Sequence, residues 1–260
     1  MHRRKMALLE IKNCSMHFGG LKAVEGLDMS LEKGELVGLI GPNGAGKTTL
    51  FNLITGVYNP TVGEIIFQNK RLNGKKPYQI TSYGIGRTFQ NIRLFQNLTV
   101  VDNVKTACHL HSKEGMFSSV VRSRRFEEEE DELNERSMNL LKIFRLDLLK
   151  EEKASNLPYG QQRRLEIARA MATEPKLLLL DEPTAGMNPH ETESLTNLIK
   201  DVKKNFDLTI LLIEHDMRVV MGCCERIVVL DYGVKIAEGP PEKIKKDPKV
   251  IEAYLGEEMT

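Results

Sequence analysis

One segment constrains this chain more than any other: Gly41-Pro42-Asn43-Gly44-Ala45-Gly46-Lys47-Thr48-Thr49. It fits the pattern GxxxxGK[ST], in which glycines let the backbone pass close to phosphate groups. The apolar run Leu36–Ile40 just before it reads as a buried strand. Leu50, Leu53 and Ile54 just after it recur at helical spacing, and Gly56 reads as the stop. A loop so placed presents its N–H groups at a helix N-terminus, where the helix dipole favours anions. The expectation is a nucleoside triphosphate site lined by Gly41, Asn43, Gly44, Ala45, Gly46, Lys47, Thr48 and Thr49. In it Lys47 reaches the β- and γ-phosphates and the Thr48 hydroxyl coordinates Mg²⁺.

The same strand–turn–helix rhythm recurs downstream. Leu177–Leu180 leads to a turn and then a helix with apolar residues at 195, 198, 199, 202 and 206. That helix starts with Asn188 as N-cap, Pro189 at the first position and Glu191 completing a capping box. Leu208–Ile213 leads into Met217, Val220, Met221 and Cys224, again at helical spacing. Such a succession predicts an α/β fold with a largely parallel sheet covered by helices. Residues near the N-terminus and around Gly63–Gln68 read as an antiparallel β-layer. From about 91 to 157 strand signals vanish, and Phe126, Leu133, Leu140, Leu141, Phe144 and Leu148 suit an amphipathic helix. Glu127–Asp131 lie at its start and Lys142, Arg145 and Lys150 towards its end, as the dipole prefers. The organisation expected is a single domain over 1–260 with a helical subdomain inserted at about 91–157.

Ligands of open α/β sheets sit outside the carboxyl ends of the strands. Three more strand ends therefore matter. Asp181 and Glu182 follow Leu177–Leu180: Asp181 is placed to hold Mg²⁺ through its water shell, Glu182 to position or deprotonate an attacking water. The alternative is an acidic pair that only caps the next turn. His215, after Leu208–Ile213, can donate to a γ-phosphate and hold the water. Gln90, after a short strand at Ile85–Phe89, can touch Mg²⁺ or the water from a movable loop.

Composition removes other classes. With 37 basic and 36 acidic residues in 260, the chain lacks the basic excess of a nucleic-acid binder. No run approaches the roughly 18–20 apolar residues needed to span a bilayer, and the basic start is followed by too short an apolar stretch for a signal peptide. Cys14, Cys108, Cys223 and Cys224 lack metal-ligand spacing, which favours a reducing setting. His109 and His111 project to opposite sides of a helix and make a poor metal pair.

In family order, these motifs resemble those of the ATP-binding subunits of ABC transporters. Gly41–Thr49 resembles the Walker A loop, Gln90 the Q-loop residue, and Leu177–Glu182 Walker B. Ala185–Asn188 resembles the D-loop and His215 the switch histidine. Leu157-Pro158-Tyr159-Gly160-Gln161 resembles the signature, and Phe18 the aromatic that stacks on adenine; a core position in the β-layer is its other reading. The usual signature is Leu-Ser-Gly-Gly-Gln, so Pro158 and Tyr159 depart from it, and Asn188 replaces the D-loop aspartate.

Tyr159–Ala170, Phe18-Gly19-Gly20, Gly86–Gln90, the helical insert and Ile236–Gly239 are similar to branched-chain amino-acid importer ATPases of the LivG type. The resemblance implies catalytic roles for Glu182, His215, Gln90 and Lys47, and a metal held by Thr48, Gln90 and Asp181. It also implies that Leu157, Tyr159, Gly160 and Gln161 contact the ATP of a second ATPase subunit, in a homodimer or heterodimer. Membrane permease subunits, and indirectly a substrate-binding protein, would complete an importer on the cytoplasmic side of the membrane. The competing readings are a soluble ABC-type ATPase outside transport, and a nucleotide-sensing adaptor without turnover.

Overall fold

A computed structural model describes residues 7–108, 110 and 124–255. Its first compact unit comprises the chain up to Arg87 and from Lys176 onward; the second is Thr88–Pro175.

The first unit is built on two sheets. β1 (Ala7–Phe18), β2 (Leu21–Glu32), β4 (Val62–Phe67) and β5 (Lys70–Arg71) form an antiparallel sheet in the order β2-β1-β4-β5, the β-layer expected near the N-terminus and around Gly63–Gln68. The other sheet has the order β10-β9-β3-β8-β7-β6, with β3 (Leu36–Ile40), β6 (Ile85–Arg87), β7 (Leu177–Asp181), β8 (Thr209–Ile213), β9 (Arg226–Asp231) and β10 (Val234–Gly239). All its pairings are parallel except β9 with β10. Every residue of β3, β7 and β8 is buried, which is why these strands read as continuous apolar runs rather than alternating ones. Leu9, Ile11, Leu27 and Leu31 of the antiparallel sheet share one core with Val37, Leu39, Leu179 and Leu211. Each such side chain stabilises the fold by about 1.5–3 kcal/mol through removal from water.

Helix α1 (Lys47–Ile54) buries Leu50, Phe51, Leu53 and Ile54 and stops at Gly56, whose φ of 71° only glycine adopts freely. Helix α2 (Pro77–Ser82) precedes β6. Further helices of this unit are numbered after those of the second: α6 (Pro189–Asn205), α7 (Met217–Cys223), α8 (Pro241–Ile244) and α9 (Pro248–Leu255). α6 begins as its sequence predicts, Asn188 accepting from the Glu191 amide while the Glu191 side chain accepts from the Asn188 amide.

In the second unit lie α3 (Val100–Cys108), α4 (Arg124–Ile143) and α5 (Tyr159–Met171). Leu133, Leu141 and Phe144 are buried as expected; the side chain of Phe126 and both His109 and His111 lie outside the described residues. Leu148 departs from the expectation, being 93% exposed. The helix ends at Ile143 and Arg145 takes a positive φ, which breaks the periodicity. Leu146 fills the buried place, and Leu148 rides a separate 3₁₀ turn.

Candidate functional site

Strand register brings the predicted residues of the first unit together. Leu39 and Asp181 both stand opposite Ile213, so the segments that leave β3, β7 and β8 emerge side by side at one sheet edge. From β3 the chain enters the loop 41–46, where Gly41, Gly44 and Gly46 have φ of 149°, 77° and 98°. A Cβ on Gly41 would run into the Leu230 carbonyl, and one on Gly46 into the Ala23 carbonyl. Gly44 has open space around it, and Asn43 and Thr48 are exposed beside it. Ala45 and Thr49 complete the predicted lining: Ala45 is buried, and its carbonyl accepts a hydrogen bond from the Gly233 amide at 3.1 Å. Thr49 is half-buried in the first turn of α1.

The first turn of α1 has neither a side-chain cap nor an acidic residue. The amides of a helix's first turn have no intrahelical acceptor, which is what a phosphate group needs. Lys47 folds back along the loop, its Nζ donating to the carbonyls of Gly41 at 2.6 Å and Pro42 at 2.7 Å. A phosphate offers an ammonium a charged acceptor, which makes a stronger hydrogen bond than a neutral carbonyl does.

At the end of β7, Asp181 is almost fully buried and its Oδ2 lies 3.2 Å from the Arg87 guanidinium. Arg87 also donates to Asn52 Oδ1 at 2.7 Å and Thr55 Oγ1 at 3.1 Å, tying α1 to β7. Glu182 has φ 45° and gives its amide to the Ile213 carbonyl at 2.9 Å. That turn aims its Oε2 towards His215 Nδ1, 3.7 Å away. His215 is largely exposed. Among the described residues no group of three or more His, Cys, Asp or Glu could hold a metal. A hydroxyl at Thr48 and one carboxylate at Asp181 suit an ion that keeps waters and phosphate oxygens as its other ligands, as Mg²⁺ does.

Phe18, at the end of β1, is 41% exposed and packs edge-on against Tyr58 with centroids 5.1 Å apart. It is therefore outside the core of the β-layer. Gln90 and the segment 157–161 belong to the second unit. The strand expected at Ile85–Phe89 ends at Arg87, because the main chain of Phe89 is taken up by side chains: its amide by Glu166 and its carbonyl by Arg163. Gln90 is exposed. Leu157 is buried, Pro158 is the N-cap of α5, Tyr159 is 45% exposed, and Gly160 and Gln161 lie in the first turn. That turn too lacks a side-chain cap and an acidic residue.

Sequence reasoning missed two residues here. Glu214 is a buried carboxylate; its Oε1 accepts from the Thr184 amide (3.0 Å) and hydroxyl (2.6 Å), and its Oε2 from the His215 amide (3.2 Å). The signal was an acidic residue at the end of an apolar strand, the same cue that marked Asp181. Arg87 was legible as a charge inside a short strand.

A glycine-built loop between a central parallel strand and a helix, with acidic ends on the neighbouring strands, defines the P-loop nucleoside triphosphatases. Within that class the family can be fixed. The sequence pattern of the family described as ABC transporter matches residues 24–185, and that described as branched-chain amino acid ATP-binding cassette transporter matches residues 234–260. The chain belongs to the ABC transporter family and is one of its ATP-binding, ATP-hydrolysing cassettes. It is 48% identical over 250 residues to the high-affinity branched-chain amino acid transport ATP-binding protein LivG of Escherichia coli (strain K12), covering 96% of this chain and 98% of that protein. Among solved structures it resembles the ADP conformation of MJ1267, an ATP-binding cassette of an ABC transporter (34% identity, TM-score 0.83, 96% of this chain and 99% of that one). It also resembles the dimeric post-hydrolysis state of the cassette MJ0796 bound to ADP and Pi (28% identity, TM-score 0.75, 90% and 98%). Among the described residues no helix is long and apolar enough to cross a membrane.

Proposed function

We propose that this cassette energises the import of branched-chain amino acids, working from the cytoplasmic face of the membrane with separate permease subunits and a substrate-binding protein. Its likeness to LivG, at 48% identity over almost the full length of both chains, supports the substrate class. The dimeric state of MJ0796 supports a second ATPase subunit as partner. In such a pair, identical or not, each nucleotide lies between one chain's phosphate loop and the other's Leu157, Tyr159, Gly160 and Gln161.

Within one chain, Gly41, Asn43, Gly44, Ala45, Gly46 and Thr49 cradle the phosphates, and Phe18 lies against the adenine. Lys47 neutralises the β- and γ-phosphates. Thr48 and Asp181 would hold Mg²⁺, with Gln90 the further ligand that the Q-loop resemblance implies, and the ion would spread charge from the phosphate oxygens when bound. Glu182 orients the attacking water and takes its proton, and His215 holds the γ-phosphate and the water in place. A general base of this kind contributes about 10²–10⁴ in rate. Loss of the γ-phosphate removes the charge that two sets of amides share, so the closed pair gives way to the open one.

The observation that carries the chemistry is the approach of Glu182 to His215 at 3.7 Å on the edge shared with the phosphate loop. Glu182→Gln should keep ATP and accumulate a dimer on size exclusion; wild-type phosphate release from that variant would refute the assignment. Detergent co-purification with permease subunits, and phosphate release by the chain, separate the transport reading from the soluble ATPase and the adaptor.

A further inference from the structure

We propose that Arg163 and Glu166 are positioning residues: a buried ion pair on α5 that grips the main chain on both sides of Gln90 and fixes it to the helix that opens with the signature. Arg163 is fully buried and Glu166 nearly so, one turn apart, with Nη1 to Oε2 at 2.7 Å. Two such charges removed from water cost stability unless their remaining hydrogen-bonding capacity is met. Apart from Arg163 Nε, which is buried without a partner, it is met chiefly by one short stretch of backbone. Arg163 donates to the carbonyls of Phe89 and Gln90, each at 2.6 Å. Glu166 Oε1 accepts from the amides of Phe89 at 3.4 Å and Arg93 at 3.2 Å. A backbone held at both carbonyls and amides cannot shift along the helix or twist against it without breaking charge-assisted bonds.

The pair also gives Tyr159 a purpose. The residue that stands where the usual signature has glycine accepts a hydrogen bond from Arg163 at 3.3 Å, and its ring lies 5.9 Å from the guanidinium. The helix tip and the Gln90 segment are thus two ends of one rigid piece. Displacement of Gln90 becomes displacement of Tyr159 and Gly160. This rests on the roles proposed above for Gln90 and the signature, but the clamp itself is testable without turnover.

The test uses the full chain. Arg163→Met with Glu166→Leu replaces the pair by apolar side chains of similar volume, an exchange that folded proteins commonly tolerate. In the nucleotide-free chain, amide hydrogen exchange at Phe89 and Arg93 should become at least about tenfold faster than in the parent. Glu166→Gln presents its NH₂ group either to Arg163 Nη1 or to the two amides, donor against donor, so exchange there should also quicken, by at least about fivefold. In turnover, the double variant should lose about tenfold in kcat while nucleotide affinity by calorimetry stays within about threefold, because positioning rather than binding is lost. Unchanged exchange at both amides in the double variant, or in Glu166→Gln, overturns the clamp. Affinity falling in step with kcat overturns the positioning role. The exchange measurement needs no ATP, so its failure is distinct from a failure of the ATPase roles assigned above.

Discussion

Replacing Glu214 by glutamine swaps one buried oxygen for an NH₂ group and leaves the shape of the side chain alone. The wild-type carboxylate accepts three hydrogen bonds, two from Thr184 and one from the His215 amide. With the glutamine carbonyl turned to Thr184, its NH₂ meets the His215 N–H, donor against donor. Turned the other way, it confronts the Thr184 amide and leaves only the hydroxyl able to adapt. In either orientation one buried main-chain donor goes without a partner, at a cost of about 1–3 kcal/mol. Easing that conflict means moving the backbone at His215 or at the turn after Glu182, the two groups that face each other at 3.7 Å. Misplacement on the order of 1 Å costs about 10²-fold in rate. The expected result is a urea midpoint lowered by the equivalent of 1–3 kcal/mol, about, with kcat reduced by one to two orders of magnitude and KM little changed. Phosphate release and urea titration on the same preparation check it. Parental turnover in a chain destabilised by that amount would show that Glu214 supports the fold without setting the geometry of His215.

Other perturbations follow from the same coordinates. Lys47→Ala removes the ammonium that lies along the loop and should abolish tight nucleotide binding in calorimetry. Gly46→Ala places a methyl against the Ala23 carbonyl at φ 98°; the backbone term alone is about 1–2 kcal/mol, so a lowered thermal midpoint together with loss of nucleotide binding is expected. Asp216 caps α7, and its carboxyl is held below its ordinary 3.8 chiefly by the Arg218 side chain, with the Arg218 and Val219 amides adding to the effect. A folded form that binds its proton less readily than the unfolded form gains stability above that value and loses it as pH falls through the lowered one. Asp216→Asn keeps the cap, so its denaturation difference from the parent, under about 1 kcal/mol at neutral pH for a solvent-screened pair, should shrink in acid. Leu148→Lys, at a turn where the side chain is almost fully solvated, should shift stability by less than about 0.5 kcal/mol.

The parts of this molecule that were legible in sequence are those where local chemistry and tertiary demand coincide. Leu36–Ile40 and Leu177–Leu180 could only be covered strands, and Asn188-Pro189 with Glu191 could only begin a helix. The loop 41–47 carried its own geometry in its glycines. Leu148 fits the helical spacing yet lies beyond the helix, because periodicity alone does not reveal where a helix stops and the positive φ at Arg145 leaves no mark on the spacing. The run Ile85–Phe89 reads as a short strand, whereas the backbone of Phe89 is claimed by two charges from α5 more than seventy residues away. Glu214 and Arg87 show a charge at or in a strand in the sequence, but not what that charge holds. A side chain that organises other functional groups is marked by its partners, and partners are a property of the fold.

The bond from the Gly233 amide to the Ala45 carbonyl ties an early motif to a late hairpin. The motif at 41–47 is translated well before Gly233, so a nascent chain arrested ahead of that hairpin possesses the letters of the cradle without its mould. That mould is complete only once the β9–β10 turn has closed behind the loop, late in synthesis.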